Sequence, residues 1–280
     1  MPRFLPFAFA CAFAILAAGC PSRRLPHVAL RFEREGAAPR TLSLAKLAER
    51  VSPEVVSTDD PYYRTRKRFR ALRLDSVLAF AFGRSVDTLR REHFLLRASD
   101  GYTVPIEGTR LLEGGAYLAF DDVDVPGFAP IGPRRVPPGP FYMVWTREGQ
   151  GDAETHPRPW QLVTIALARF EDVYPHVVPA GEPADGPAMA GFRLFRARCV
   201  RCHAINGEGG HVGPDLNVPR SIVEYRPEEQ IRAFVRDPSA FRYGAMPAHP
   251  DLTDGDLDAL LAYFRAMARR KHDPRAAAGH

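Results

Sequence analysis

The sequence predicts a mixed α+β domain at residues 27–178, followed by an all-α domain at residues 189–272. Three observations indicate this division. The stretch "PAGEPADGPA", residues 179–188, has the proline, glycine and alanine content of a linker. Short apolar runs separated by turn residues precede it, and apolar residues at helical spacing follow it. The length of the chain suits about two domains.

The N-terminal part contains two strand signals and one helical pattern. The segments "HFLLRA" and "GYTVPIE" flank the turn signal Ser99-Asp100-Gly101, which predicts paired strands. The segment "PFYMVW", residues 140–145, is an apolar run next to prolines, as in a buried strand. The apolar spacing in "TLSLAKLAERV", residues 41–51, predicts a helix.

The C-terminal part is predicted to be helical. Residues 188–198 form one predicted helix, and another begins near Pro227 with Phe234 facing inward. In "LTDGDLDALLAYFRAM", residues 252–267, Thr253 and Asp256 have the spacing of a capping box before an apolar stripe. We therefore expect the last helix to begin just after Thr253.

The first twenty residues predict export. A positively charged start, a short apolar run and small residues at positions 17–19 are typical of a signal peptide, which we assign to residues 1–19. The apolar run is too short for a transmembrane helix, which needs about 20 residues. The segment "LAAGC" resembles the lipobox of bacterial lipoproteins, which implies a lipid anchor at Cys20. Ordinary secretion is the alternative, and either route predicts a protein outside the cytoplasm.

The composition gives little reason to expect nucleic-acid binding. The formal net charge is +5 and is spread over both halves of the chain. The densest basic run, residues 64–73, is interpreted as a solvated surface, with docking of an acidic redox partner or anionic lipid as the alternative.

The segment "CVRCH", residues 199–203, is the main candidate for a cofactor or metal site. The sequence has four cysteines, and Cys11 and Cys20 lie in the leader or at its end. A Cys-x-x-Cys pair can serve as a redox disulfide, as half of a zinc site or as a haem anchor. Two thiols one helical turn apart, directly followed by a histidine, favour covalent haem; zinc and disulfide chemistry remain the alternatives.

Residues 186–272 resemble a class I cytochrome c. The motifs are "GFRLFRARCVRCH" for the first helix and haem anchor, "GPDL" at 213–216, "GAMPAH" at 244–249 and the last helix. The resemblance implies one haem c attached through Cys199 and Cys202, with His203 as an axial ligand to iron. It also implies that the carbonyl of Pro214 accepts a hydrogen bond from Nδ1 of His203, which orients the ring. In that family the glycine equivalent to Gly191 allows close crossing by the last helix.

The second axial ligand is expected to be Met246. It lies between the two predicted helices, far enough after His203 for the chain to pass around the haem edge. His249 is its main rival. The other candidates are Met267, His211 and His272.

Residues 40–175 more faintly resemble the molybdopterin-binding domain of the sulfite-oxidase type. The matching pieces are "FRALRLDSVLAF", "LRASDGYTVPIEG" and "GPFYMVW". In enzymes of that family a cysteine thiolate binds molybdenum, whereas residues 21–198 contain no cysteine. We therefore expect a noncatalytic domain of this mixed α/β fold without molybdopterin.

The predicted function is one-electron transfer by a membrane-tethered periplasmic cytochrome. Its expected partners are redox proteins of a respiratory or periplasmic electron-transfer chain. The alternative is a haem-containing redox enzyme, or its electron-transfer subunit, in which the N-terminal domain binds a substrate or a pterin cofactor.

Overall fold

The computed structural model describes residues 25–132, 135–244 and 246–277. The predicted signal peptide and Cys20 lie outside these residues. A sheet-rich N-terminal region is followed by a helical C-terminal domain, as the sequence predicts in outline. The strands are β1 Ala29–Arg34, β2 Ala37–Ser43, β3 Glu54–Asp60, β4 Thr65–Arg73, β5 His93–Ala98, β6 Thr103–Glu107, β7 Ala116–Asp122, β8 Tyr142–Trp145, β9 Leu162–Leu167, β10 Ala204–Ile205 and β11 Glu208–Gly209. The helices are α1 Leu44–Ala48, α2 Leu74–Phe82, α3 Val86–Leu89, α4 Gly108–Leu111, α5 Phe170–Val173, α6 Pro187–Leu194, α7 Ile222–Tyr225, α8 Glu228–Arg236, α9 Asp254–Ala268 and α10 Pro274–Ala277.

A five-stranded sheet has the order β2-β1-β9-β5-β6. The β1 and β9 strands are parallel, and the other neighbours are antiparallel. The β5–β6 pair confirms the predicted strands around Ser99-Asp100-Gly101, with Arg97 opposite Thr103.

A four-stranded antiparallel sheet has the order β3-β4-β7-β8. All four residues of β8 are buried, which confirms the buried strand predicted from "PFYMVW". The first core lies between side chains of this sheet, one face of the five-stranded sheet and helix α2. Its largest fully buried members include Trp145, Phe94, Phe120 and Phe141.

The predicted helix at residues 41–51 is shorter in the structure. Residues 41–43 continue β2, which pairs with β1, and helix α1 covers only Leu44–Ala48. The hydroxyl of Ser43 caps this helix by accepting a hydrogen bond from the Lys46 N–H at 3.1 Å. Pairing with β1 thus keeps residues 41–43 extended, although the apolar spacing of the whole segment is helical.

The interior of the N-terminal region contains a buried charged pair. Asp60 and Arg158 are each 2 % exposed, and their nearest charged atoms are 3.7 Å apart. The hydroxyl of Tyr142 donates to Asp60 Oδ2 at 2.7 Å, and the N–H groups of Tyr62 and Tyr63 donate to Oδ1. Hydrogen bonds to both carboxylate oxygens and the nearby guanidinium compensate Asp60 for its loss of water.

The C-terminal domain is organised around the crossing of α6 and α9. The hydroxyl of Thr253 accepts a hydrogen bond from the Asp256 N–H, while the Asp256 carboxylate accepts one from the Thr253 N–H, which confirms the predicted capping box. Helix α8 begins after Pro227 as expected, but Phe234 is only half-buried and its ring contacts Phe241. The domain also contains the short β10–β11 pair, which the all-α prediction lacks.

The second core joins the two regions. Leu95 and Ala166 point to the face of the five-stranded sheet opposite the first core, and they belong to the same buried cluster as Val177 and Tyr263. The Tyr263 hydroxyl donates to the carbonyl of Val177 at 2.8 Å. Helix α9 is therefore tied to the segment that follows β9 in the N-terminal region. Among the described residues, no helix is both long and apolar enough to cross a membrane.

Candidate haem-binding site

The two cysteines and the histidine of "CVRCH" lie at the end of the first helix of the C-terminal domain. Helix α6 continues into a π-helical turn, Phe195–Cys199, in which the Val200 N–H donates to the carbonyl of Phe195 at 2.9 Å. The N–H groups of Cys202 and His203 both donate to the carbonyl of Cys199. The chain therefore turns tightly enough to hold two thiols and an imidazole within one turn.

Both thiols are free, half-buried and protonated at neutral pH. Burial raises the pKa of Cys199 to about 12 and that of Cys202 to about 11. Cysteines that exchange disulfides have a lowered pKa, so this environment does not favour that alternative. For the zinc alternative, the described part of the chain holds no group of three or more His, Cys, Asp or Glu residues that could bind a metal ion.

The imidazole of His203 is oriented by the loop that follows it. Its Nδ1 lies 2.8 Å from the carbonyl oxygen of Pro214. Because a carbonyl only accepts, Nδ1 carries the proton and the Nε2 lone pair is available to a metal. Burial lowers the pKa of His203, and the Pro214 carbonyl opposes this effect. A neutral ring with a free Nε2 is the form that binds iron.

Gly213 lets this loop approach the ring closely. A Cβ at this position would lie 2.8 Å from Nδ1 of His203. The Gly213 N–H also donates to the carbonyl of Cys202 at 2.7 Å. Gly213 thus lies over the imidazole near Cε1, and this close contact restricts rotation of the ring.

Met246 is half-buried and packs against the core of the C-terminal domain. Its rival His249 is 7 % exposed, and its N–H donates to the carbonyl of Val235 at 3.1 Å. Burial lowers the pKa of His249, whose ring lies among the charges of Glu154, Arg198 and Asp251.

Exposed apolar side chains are concentrated in the segments around these residues. Val212 precedes the loop that contacts His203, and Phe241 and Tyr243 precede Met246. Tyr225 is also exposed and lies below the guanidinium of Arg220, 6.0 Å from its ring centre. Apolar surface of this kind suits a large flat ligand. Two thiols and an imidazole with a free Nε2, next to such a surface, are groups that suit a covalently bound haem.

Sequence reasoning missed a polar network behind this site. Asn206 is buried and has a left-handed φ of 58°. Its Nδ2 donates to the carbonyls of His176 and Arg270, and its Oδ1 accepts from Asn217. The Asn-Gly dipeptide at residues 206–207 is a turn signal that could have indicated the left-handed backbone of Asn206. It could not have indicated the long-range hydrogen-bond partners.

Comparison with known proteins supports the C-terminal assignment. Residues 186–264 match the family described as "Cytochrome C oxidase, cbb3-type, subunit III". The chain is 34% identical over 94 residues to "Cytochrome c oxidase subunit 2" of Alkalihalophilus pseudofirmus, covering 31% of this chain and 27% of that protein. It is 33% identical over 94 residues to "Lupanine 17-hydroxylase [cytochrome c]" of a Pseudomonas species, covering 33% of this chain and 13% of that protein. The chain thus aligns with about a quarter of the first relative and about an eighth of the second.

The comparisons therefore support a cytochrome c domain in the C-terminal part of the chain, a type of domain that holds haem c and takes part in electron transfer.

Proposed function

We propose that the protein is a membrane-tethered periplasmic cytochrome that carries single electrons through one covalently bound haem. Cys199 and Cys202 would hold the haem through thioether bonds, and His203 and Met246 would bind its iron. Cys20 would carry the lipid.

The hydrogen bond between Nδ1 of His203 and the Pro214 carbonyl carries this proposal. It leaves Nε2 free beside two protonated thiols in a domain of the cytochrome c type. A disulfide between the two cysteines does not require this orientation of the ring, and a zinc site would need further ligands, of which the described residues form no suitable group.

Met246 is preferred to His249 as the second ligand. Its thioether belongs to a segment rich in exposed apolar side chains, whereas the ring of His249 is buried among charged side chains. A histidine and methionine pair raises the reduction potential relative to two histidines. The haem supplies the one-electron couple, and the chain's own residues orient its ligands and limit access of water.

The topology of the N-terminal sheet supports a membrane-side position for the haem attachment. Cys20 lies five residues before Leu25, so a lipid anchor would reach at most about 18 Å from it. Leu25 packs on the first core just before β1, which begins at Ala29. The strand registers put Ala29 at the same end of the sheet as Ala98, which leads into the turn beside the haem-attachment segment. A partner embedded in or bound to the membrane fits this arrangement.

Two reciprocal variants test the cofactor and the anchor separately. In cells equipped for cytochrome c maturation, Cys199→Ala with Cys202→Ala should remove haem that survives denaturation and acidified-solvent extraction, but keep the protein in membranes. Cys20→Ser should keep the covalent haem and release the protein. Covalent haem in the double variant would refute the attachment, and membrane retention of Cys20→Ser would refute the anchor.

Met246→Ala tests the second ligand. It should abolish the weak near-infrared charge-transfer band of ferric haem with a sulfur ligand, while His249→Ala should leave the band in place. Metal analysis of the same material addresses the enzymatic alternative, because stoichiometric molybdenum or pterin would contradict a simple electron carrier.

A further inference from the structure

We propose that the N-terminal region forms one wall of the haem site and that Arg201 is the positioning residue that fixes this wall beside Cys202. The proposal deepens the proposed function and rests on haem attachment at Cys199 and Cys202. It gives the N-terminal region a direct role in setting the properties of the haem.

Backbone hydrogen bonds hold the turn between β5 and β6 against the haem-attachment segment. The Thr103 N–H donates to the carbonyl of Arg201 at 3.0 Å, and the His211 N–H donates to the carbonyl of Gly101 at 3.1 Å. Gly101 has a φ of +88°, and a Cβ there would lie 2.8 Å from Cβ of His211. A side chain at position 101 would therefore separate the two regions.

The guanidinium of Arg201 secures the same contact from a second direction. It donates to the carbonyls of Ala153 at 3.2 Å and Glu154 at 2.7 Å. The carboxylate of Asp152 holds this turn by accepting hydrogen bonds from the N–H groups of Glu154 and Thr155. Because both acceptors of Arg201 are neutral carbonyls, they anchor the side chain without cancelling its charge.

Two tyrosines of the N-terminal region complete the wall. The Tyr102 hydroxyl lies within hydrogen-bonding reach of the Arg201 side chain, and the Tyr62 hydroxyl lies near the same guanidinium. The ring of Tyr62 packs edge-on against Trp160, with ring centres 4.9 Å apart. Large rings from the N-terminal region thus cover the side of the attachment segment that carries Cys202.

This arrangement predicts an effect on the haem. Ferric iron carries one more positive charge than ferrous iron, so a fixed cation and exclusion of water both disfavour the ferric form. The wall should therefore raise the reduction potential.

The test compares two variants that loosen the contact from opposite sides with one control. Arg201→Gln removes the charge from the C-terminal domain, and Gly101→Ala separates the surfaces from the N-terminal side without changing any charge. Arg193→Gln is the control, because the Arg193 side chain also donates to a backbone carbonyl, that of Ala184, but within the linker and C-terminal domain. Arg201→Lys retains the charge without the two-pronged contact and replaces Arg201→Gln if that protein does not accumulate.

Two measurements on full-length protein decide the proposal. In both haem-free and haem-loaded protein, hydrogen exchange of the Thr103 and His211 amides should accelerate about tenfold or more in the test variants and not in the control. In haem-loaded protein, the midpoint potential should fall in Arg201→Gln and Gly101→Ala. Unchanged exchange in both variants would refute the proposed contact. A potential that falls in Arg201→Gln but not in Gly101→Ala would refute the role of the wall, because the charge of Arg201 alone would then explain the change. Absence of covalent haem would refute the proposed function while the exchange measurement on haem-free protein still tests the contact.

Discussion

Substitution of Gly191 by alanine tests the helix crossing on which the C-terminal domain is built. Gly191 is buried in α6 where this helix crosses α9. A Cβ at position 191 would lie 2.8 Å from Cβ of Tyr263 and would overlap the backbone carbonyl of Ala259 still more closely. Neither group can move away by rotation of a side chain, so α9 itself must shift.

The size of the effect follows from two opposing contributions. Restoring an ordinary separation of about 3.5 Å between the two Cβ atoms alone would move α9 by roughly 0.7 Å. The closer overlap with the Ala259 carbonyl requires a larger shift, which disturbs the packing of the second core. Forcing an extra methyl group into a packed core costs about 1–3 kcal/mol. Replacing glycine in a helix by alanine returns about 1 kcal/mol. Because the overlap is with backbone, we expect a net loss of about 1–2 kcal/mol, or about 2–8 °C in Tm.

Urea unfolding of haem-free protein, followed by far-ultraviolet circular dichroism, measures this loss without involving the cofactor. Gly255→Ala is the matched control, because Gly255 is in the first turn of α9 and a Cβ there meets only the Thr253 hydroxyl, at 3.8 Å. That variant should be neutral or gain up to about 1 kcal/mol. If Gly191→Ala unfolds at the same or a higher urea concentration than the unsubstituted protein, the argument for an obligatory close crossing is wrong.

Three further substitutions probe other parts of the molecule. Asn206→Ala should cost about 1–3 kcal/mol in urea unfolding, because it removes a buried side chain that donates to the carbonyls of His176 and Arg270; a loss below about 0.5 kcal/mol would contradict this. Arg158→Met should cost about 3–5 kcal/mol by leaving Asp60 buried without its cation, and adding Asp60→Asn should restore much of it; no recovery in the double variant would refute the pairing. The N–H of Glu154 holds the pKa of Asp152 below its ordinary 3.8, so the stabilisation by Asp152 is complete above about pH 4 and is lost as the pH falls through the lowered pKa. The difference in urea midpoint between Asp152→Ala and the unsubstituted protein should therefore vanish in acid, and a difference independent of pH would show that the carboxylate charge is not involved.

Several features of the fold could be predicted because their causes are local in sequence. The β5–β6 hairpin depends on the Ser99-Asp100-Gly101 turn, and the start of α9 depends on Thr253 and Asp256, three residues apart. The bounds of α1 could not be predicted, because pairing of β2 with β1 overrides helical spacing at residues 41–43. Pairing within the β1–β2 hairpin decided that case, because tertiary pairing outweighs the helical preference of a short segment.

For the candidate site, the sequence indicates the chemistry but not the surroundings. The spacing of Cys199, Cys202 and His203 indicates covalent haem, because it places two thiols one helical turn apart and a histidine directly after them. Nothing in the sequence indicates that Arg201 reaches the carbonyls of Ala153 and Glu154, because backbone acceptors leave no signature in residue type. The inward position predicted for Phe234 was wrong in part. Its ring is half-buried and packs on the exposed ring of Phe241, a contact that helical spacing does not indicate.

The position of Arg201 in the segment of residues 199–203 explains how the N-terminal region can contact this segment. The attachment motif fixes the two cysteines and the histidine but leaves the two positions between the cysteines free of any covalent requirement. In this protein Val200 is fully buried within the domain, while Arg201 extends to the N-terminal region. In this chain, position 201 is therefore where the N-terminal region contacts the proposed attachment segment without altering Cys199, Cys202 or His203.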